Sequence, residues 1–400
     1  MTASRRAAPI GASSAFRTGV GVAAGVLAAA ITGAVSLWAG LAVHIARKAV
    51  TPTPREPDTE IVDLDLAAQT ITLTRTPDTE LPGRYGLFTT GTSSYLKLGT
   101  VLSADAATVT RKLLTEIGPA SRLSAEAAFS GWYYDEPEQL HLPFSTELIG
   151  SSVGPCPAWL FEGEADATTW VIQVHGRGAR RPECLRAVPV FSGLGFPVLI
   201  VSYRNDSDAP RSRSGRYGLG ATEWRDVDAA VGYALRHGAR RVVLMGWSMG
   251  GAITLQVALN SPYRDAIAGI ILESPVVDWR PVLEYQARLL KVPDPVTGLA
   301  MQTLQSPWAA PLTGGETIPL DRLDVVARAA ELRHPVLLMH SDDDGFVPSD
   351  ASHRLAQARP DLVTMQTFQV ARHTKLWNYD PERFTGAIRD WLHARSITAH

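Results

Sequence analysis

From about residue 150 the chain alternates short apolar runs with amphipathic stretches. Ala158–Phe161, Thr169–Val174 and Pro197–Tyr203 are rich in aliphatic, β-branched and aromatic residues. Arg241–Trp247, Ala268–Leu272, Pro335–Met339 and Leu362–Phe368 continue the series. Runs of this length with few polar interruptions read as buried strands. Between them, Trp224–Arg236 places Val227, Ala230, Val231, Ala234 and Leu235 at helical spacing. Buried strands separated by amphipathic helices predict an α/β fold. The sheet is expected to be doubly wound and mostly parallel, with helices on both faces.

Residues 58–150 are patterned differently. Thr70–Thr74, Tyr85–Phe88 and Tyr95–Leu98 alternate apolar with small or polar positions, and Gly and Ser lie between them. This predicts a small β-rich accessory region. No cluster of Cys, His or carboxylates suggests chemistry there. The region is too short for a propeller, whose four or more blades take about 40–45 residues each.

Residues 1–18 form a short basic tail with Arg5, Arg6 and Arg17. From Gly19 to Leu41 every residue is uncharged, and most are Ala, Val, Leu, Ile or Gly. Such a run meets the ~20 residues needed to cross a bilayer. It predicts a transmembrane signal anchor over 19–46. A cleaved signal peptide is the competing reading, but its apolar core is shorter, about 7–15 residues. Arg5, Arg6 and Arg17 precede the run, while Arg47, Lys48 and Arg55 follow it. With the α-amine counted, the positive-inside rule leans slightly to an inside N-terminus and an extracytoplasmic catalytic domain. Gly21 and Gly25 have the spacing of a helix-packing pair, which an Ala-rich run also produces by chance. Residues 47–57, with Pro52, Pro54 and Pro57, read as a Pro-rich, semi-extended linker.

Composition changes this picture little. A chain of 400 residues suggests roughly two to three domains. At 45% hydrophobic and 20% charged residues it is ordinary globular protein with material for a sizeable core. The net charge of -2 and the lack of a basic stripe give no sign of nucleic-acid binding. Cys156 and Cys184 lack metal-ligand spacing. They either pair in an oxidising compartment or stay free, and spacing does not decide.

The chemistry is concentrated at Arg241–Gly251. An apolar strand breaks at Gly246-Trp247-Ser248-Met249-Gly250, and Gly251–Leu259 continues as a helix. Strand, sharp turn and helix form the setting in which Gly-x-Ser-x-Gly lifts a serine hydroxyl clear of a sheet. A Gly-rich turn with an incidental serine is the alternative. A serine hydroxyl needs a base to take its proton and a carboxylate to hold that base's tautomer. In this architecture they follow the serine, carboxylate first. Asp342, Asp343 and Asp344 lie just after the strand 335–339, at the carboxyl end where open α/β sheets place their sites. Asp344 is the expected acid, and the other two are expected to shape the turn. His373 follows the last strand and is the expected base. His393 falls in a terminal helix, His400 ends the chain, and His353 precedes the last strand.

A tetrahedral intermediate also needs backbone donors for its oxyanion. The N–H of Met249, directly after the serine, is one candidate. The other is the backbone of Arg177 in His175-Gly176-Arg177-Gly178, the loop after strand 169–174. A phosphate-binding Gly loop is the rival reading. It lacks the P-loop's spacing and its Lys-Ser/Thr ending.

Taken together, His175-Gly176-x-Gly178, Gly246-x-Ser248-x-Gly250-Gly251, the His340–Asp344–Val347-Pro348 segment and His373 resemble the α/β-hydrolase superfamily. Within it they are similar to prolyl-oligopeptidase-like catalytic domains and bacterial esterases. The resemblance covers about residues 151–400. It implies Ser248 as nucleophile, His373 as base and Asp344 as acid, without a cofactor. One departure is Ser341, where relatives commonly have Gly. In such hydrolases the stretch matching 274–333 holds a lid. Here Val282, Tyr285, Leu289 and Leu290 share a helical face, and Trp279, Met301 and Trp308 add apolar bulk. Plain packing onto the sheet is the alternative.

The expected protein is a membrane-anchored serine hydrolase acting on a carboxylic ester, with a small or lipid-like acyl substrate. A peptidase, an acyltransferase using the same triad, and a non-catalytic scaffold on the same fold are the alternatives.

Overall fold

The structure is a computed structural model and describes residues 36–400 except 54, 93 and 119–121. Residues 19–35 of the expected membrane anchor lie outside the described residues. Helix α1 covers residues 36–50. Among the described residues no helix is long and apolar enough to cross a membrane.

Six strands then close a barrel in the order β1-β2-β5-β4-β3-β6. They are β1 (Thr59–Asp65), β2 (Thr70–Thr74), β3 (Tyr85–Thr89), β4 (Tyr95–Ala104), β5 (Thr108–Leu113) and β6 (Glu126–Ser130). Alternation turns Ile71 and Leu73 inward beside Leu87 and Leu98, all fully buried. One charge sits in this core. Pairing of β4 with β5 shifts between Leu98 and Val101. Gly99 lies in that irregularity, and Arg111 Nε and Nη2 donate to its carbonyl at 3.1 and 2.8 Å. Arg111 also donates to the carbonyls of Thr79, Leu81 and Gly83. A buried acceptor stripped of its donor costs about 1–3 kcal/mol. Arg111→Met, similar in length but without donors, is therefore expected to destabilise the protein by at least ~3 kcal/mol. Urea unfolding of the two proteins measures it.

The second layer is an eight-stranded sheet in the order β14-β13-β12-β11-β9-β10-β8-β7. Its strands are β7 (Phe144–Ser151), β8 (Gly154–Phe161), β9 (Thr169–Val174), β10 (Val198–Val201), β11 (Arg241–Trp247), β12 (Ile267–Glu273), β13 (Val336–Ser341) and β14 (Val363–Phe368). From β10 to β14 the pairing is parallel, and β7 and β8 add an antiparallel edge. Strand β9 is buried at every position, as a sheet covered on both faces requires. The helices that matter below are α2 (Trp224–Arg236), α3 (Met249–Asn260), α4 (Trp279–Leu289) and α5 (Asp294–Gln305). Cys156 and Cys184 are buried and free.

The N-terminal segment departs most from the sequence reading. Ala42, Ala46 and Val50 are at most 2% exposed and belong to the main core of the catalytic body. They recur every four residues, so they form one face of α1. Ala42 and Ala46, read as part of a lipid-facing span, therefore face protein, while His44 between them is exposed. Residues 47–50, read as linker, are helical. The last carbonyls of α1 have partners in the body. Arg177 donates to those of Lys48 and Ala49 at 2.9 and 3.1 Å, and to that of Thr51 just past the helix end at 3.0 Å. The N–H of Tyr217 donates to Val50 at 2.8 Å. A helix end needs such donors, and here the body supplies them. Beyond α1, the Arg55 guanidinium lies 4.0 Å from the Phe88 ring centre and 4.4 Å from that of Trp132. Arg55, within the expected linker, is thus held against the barrel side of the molecule.

Candidate active site

Ser248 joins β11 to α3 with φ 51° and ψ -117°, a left-handed conformation that an L-residue adopts at a cost. The two flanking glycines permit it. A Cβ on Gly246 would stand 2.4 Å from the Gly250 carbonyl, and one on Gly250 would stand 2.1 Å from that of Val174. The turn closes only without those atoms. The serine is 7% exposed.

His373 Nε2 lies 2.9 Å from Ser248 Oγ, and its Nδ1 lies 2.8 Å from Asp344 Oδ2. The other carboxylate oxygen, Oδ1, accepts from the N–H groups of Phe346 and Val347 at 2.9 and 2.8 Å. His340 Nε2 stands 3.3 Å from Oδ2. Burial alone would raise the Asp344 carboxyl pKa. The neighbouring charge of His373 and hydrogen bonds from His340 and His373 outweigh it and hold the group below the usual carboxylate range. Asp344 therefore stays ionised through neutral and mildly acid pH. Its contribution to stability is complete above the unfolded carboxylate value and is lost only as pH falls through the depressed folded one.

The other two aspartates of this loop point elsewhere. Asp342 accepts from Ser349 and pairs with His353 at 2.8 Å. Asp343 pairs with Arg372 at 3.1 Å. His393 lies in the C-terminal helix, and His400 pairs with Glu164.

Both expected oxyanion donors border the serine. Met249 opens α3, where an N–H has no partner inside the helix. The Arg177 N–H makes no backbone hydrogen bond among the described residues. Its loop is held by groups the motif does not contain. Buried Glu183 accepts from the Gly176 N–H at 2.7 Å. Tyr203 donates to the carbonyls of His175 and Gly176. His175, fully buried, bonds Asp206 at 2.9 Å. These partners lie 7 to 31 residues from the residues they hold. Only their unusual burial as polar residues marks them, and a sequence does not display burial.

Two chambers meet at Ser248. One, of about 420 Å³, is mostly carbon-lined: Trp279, Val282 and Leu290 on one side, Ala300, Met301 and Leu304 on another. Ile45, Ala46 and Ala49 of α1 complete it. Of the residues expected in a lid, Tyr285, Leu289 and Trp308 lie outside this chamber, and Leu289 and Trp308 are 56% and 76% exposed. The other chamber, of about 390 Å³, is charged, with Arg55, Asp58, Asp78, Glu183, Arg372 and Lys375 around it.

The barrel borders this second chamber through residues 129–132. It also abuts the loop that carries His373. Lys375 pairs with Asp78 at 2.9 Å. Asn378 donates to the carbonyls of Arg84 and Gly131 at 2.7 and 2.9 Å. A Cβ on Gly83 would stand 2.0 Å from the Asn378 carbonyl. Residues 58–150, expected to carry no chemistry of their own, thus support the histidine loop.

A model of the prolyl oligopeptidase family matches residues 186–393. A domain of unknown function, DUF8805, matches residues 60–130. The chain is 29% identical over 163 residues to an uncharacterized membrane protein of Saccharomyces cerevisiae, covering 40% of this chain. That match spans only 55% of the yeast protein's length. It is 24% identical over 196 residues to the pimeloyl-acyl-carrier-protein methyl ester esterase of Aliivibrio fischeri strain MJ11, covering 42% of this chain and 76% of that one. Among solved structures, an esterase of Pyrococcus furiosus superposes with a TM-score of 0.51 at 17% identity. It covers 65% of this chain and 94% of its own, and it shares the α/β-hydrolase fold.

Proposed function

The chain belongs to the prolyl oligopeptidase family, and we propose that it is an esterase working through Ser248, His373 and Asp344. That it is a serine hydrolase of the esterase and peptidase type follows from the family and the relatives. The observation that carries the finer reading is the line of two hydrogen bonds from Ser248 through His373 to Asp344.

In this reading His373 Nε2 takes the hydroxyl proton as Ser248 Oγ attacks the carbonyl carbon. The carbonyl π electrons move to oxygen, and the N–H groups of Met249 and Arg177 receive the oxyanion. Collapse breaks the bond to the alkoxy oxygen, which leaves with the proton from His373. Water then gives its proton to His373 and attacks the acyl-enzyme. The second collapse releases the acid and returns the proton to Ser248. Asp344 keeps its negative charge throughout and steadies the imidazolium.

An amide is the second reading. The charged chamber holds Asp58 and Asp78 near the serine, where a cationic amine portion would find partners. Turnover of p-nitrophenyl esters against aminoacyl p-nitroanilides separates the two. The esterase reading predicts ester kcat/KM at least about a hundredfold above that of any anilide, some 2.7 kcal/mol of transition-state preference. A reversal of that order overturns it.

We further propose that Gly19–Leu41 attaches the protein to a membrane, with the catalytic body outside the cytoplasm. Three observations support attachment: the uncharged run itself, the exposure of Leu37, Trp38 and Leu41 on α1, and the likeness to a yeast membrane protein. Exposed apolar side chains, one of them Trp, suit a membrane interface.

A further inference from the structure

Helix α1 does two things at once beside Ser248. Its buried face completes the apolar chamber, and its C-terminal carbonyls are held by the Arg177 guanidinium. The backbone of that same arginine is the proposed oxyanion donor. The position of α1, the width of the chamber and the setting of the oxyanion loop are thus linked through one residue.

We propose that the last two turns of α1 are a wall of the substrate site, and that the occupant is the linear acyl chain of an amphiphilic fatty ester. This rests on the esterase reading. The chamber reaches Ser248 and offers mainly carbon. Of its charged lining residues, Lys48 and Glu56 are exposed, and the Arg177 guanidinium is turned to the carbonyls of Lys48, Ala49 and Thr51. A buried peptide segment would bring an N–H and a carbonyl with each residue, and these walls have few partners for them. An alkyl chain brings none. Its volume is within the range of small-molecule sites, roughly 300–1,000 Å³. Leu290 and Phe346 line the chamber and are also exposed, at 59% and 43%, so its mouth is apolar. On the other side of the serine, the charged chamber suits a polar alcohol portion. A fatty ester whose polar end and chain part company at the carbonyl fits both spaces.

Small residues make this wall. Ala46 is buried and Ala49 half-buried, and both line the chamber. Larger side chains there shorten the space without touching the triad. In full-length Ala49→Trp, and in the milder Ala49→Leu, the ratio of kcat/KM for p-nitrophenyl octanoate to that for the acetate is expected to fall. The fall should be about tenfold or more in the Trp variant, the least effect a displaced methylene has in a well-shaped apolar pocket. Ala300→Phe, on the opposite wall, should lower the same ratio. An active enzyme whose ratio is unmoved by both Ala49 variants, while Ala300→Phe lowers it, overturns the role of α1. A ratio unmoved by all three overturns the acyl chamber itself. A wild-type enzyme inert toward every ester and unlabelled by a fluorophosphonate overturns the esterase reading, and this proposal with it.

Discussion

Ser248→Ala is expected to fold like the wild type and to lose hydrolysis by about 10⁴–10⁶ in kcat, the range seen when a triad nucleophile is removed. The loss arises because, among the described residues, no other hydroxyl is hydrogen-bonded to His373 Nε2. Stability should hardly suffer. The change removes one oxygen and fills no space, and the strained backbone at residue 248 is shaped by Gly246 and Gly250, which remain. Any residual rate would come from the oxyanion donors and substrate binding, which outlast the nucleophile. Steady-state kinetics on the best ester, with circular dichroism to confirm the fold, measures both halves. Activity within tenfold of wild type would remove Ser248 from the reaction.

Asp344→Asn should cost about 10⁴ in kcat, if this triad behaves like that of the serine proteases. The substitution preserves shape and the hydrogen bonds from Phe346 and Val347, which reach Oδ1. What changes is Oδ2. An amide nitrogen there donates where a carboxylate accepted, so Nδ1 of His373 must accept and Nε2 carries the proton. A protonated Nε2 takes no proton from Ser248. The negative charge facing the imidazolium is also lost. Asp342→Asn and Asp343→Asn should each cost less than about tenfold, because half-exposed ion pairs contribute ~0–1 kcal/mol. Their partners are His353 and Arg372, not His373. Comparing kcat/KM for the three variants tests the assignment. If Asp342→Asn or Asp343→Asn is the crippled one, the acid has been misplaced.

The sequence carried the chemistry further than the architecture. Ser248, Asp344 and His373 could be proposed together from the sequence because an ordered series on a parallel sheet has few alternatives, and the glycines at 246 and 250 mark the turn. The apolar strands from β8 to β14 were visible for the same reason, since burial on both faces leaves few polar interruptions. The barrel was less legible. Strand β1, with Glu60, Asp63 and Asp65, is polar enough to read as loop, and its pairing with β6 joins residues far apart in sequence. Closure of a sheet is a property of such distant pairs. Helix α1 misled for another reason. Ala42 lies at the end of a long uncharged run, and only the short exposed stripe of His44, Arg47 and Lys48 marks the face opposite the one that meets protein. An apolar face reads alike whether lipid or a domain covers it. Arg177 was singled out for its backbone, while its side chain, which caps α1, lay beyond any motif. Ser341, where relatives commonly have Gly, proves to have its own task. Its hydroxyl accepts from the N–H groups of Asp343 and Ala371, linking the loop of the acid to that of the base.

The central claim is that Ser248 is the nucleophile. Its most direct test is to label the full-length protein with a fluorophosphonate and locate the adduct by peptide mass spectrometry. The account predicts a single adduct on Ser248, abolished in Ser248→Ala and greatly slowed when His373 is replaced by Ala. An adduct on another residue, or no adduct on a folded protein that hydrolyses esters, would contradict it.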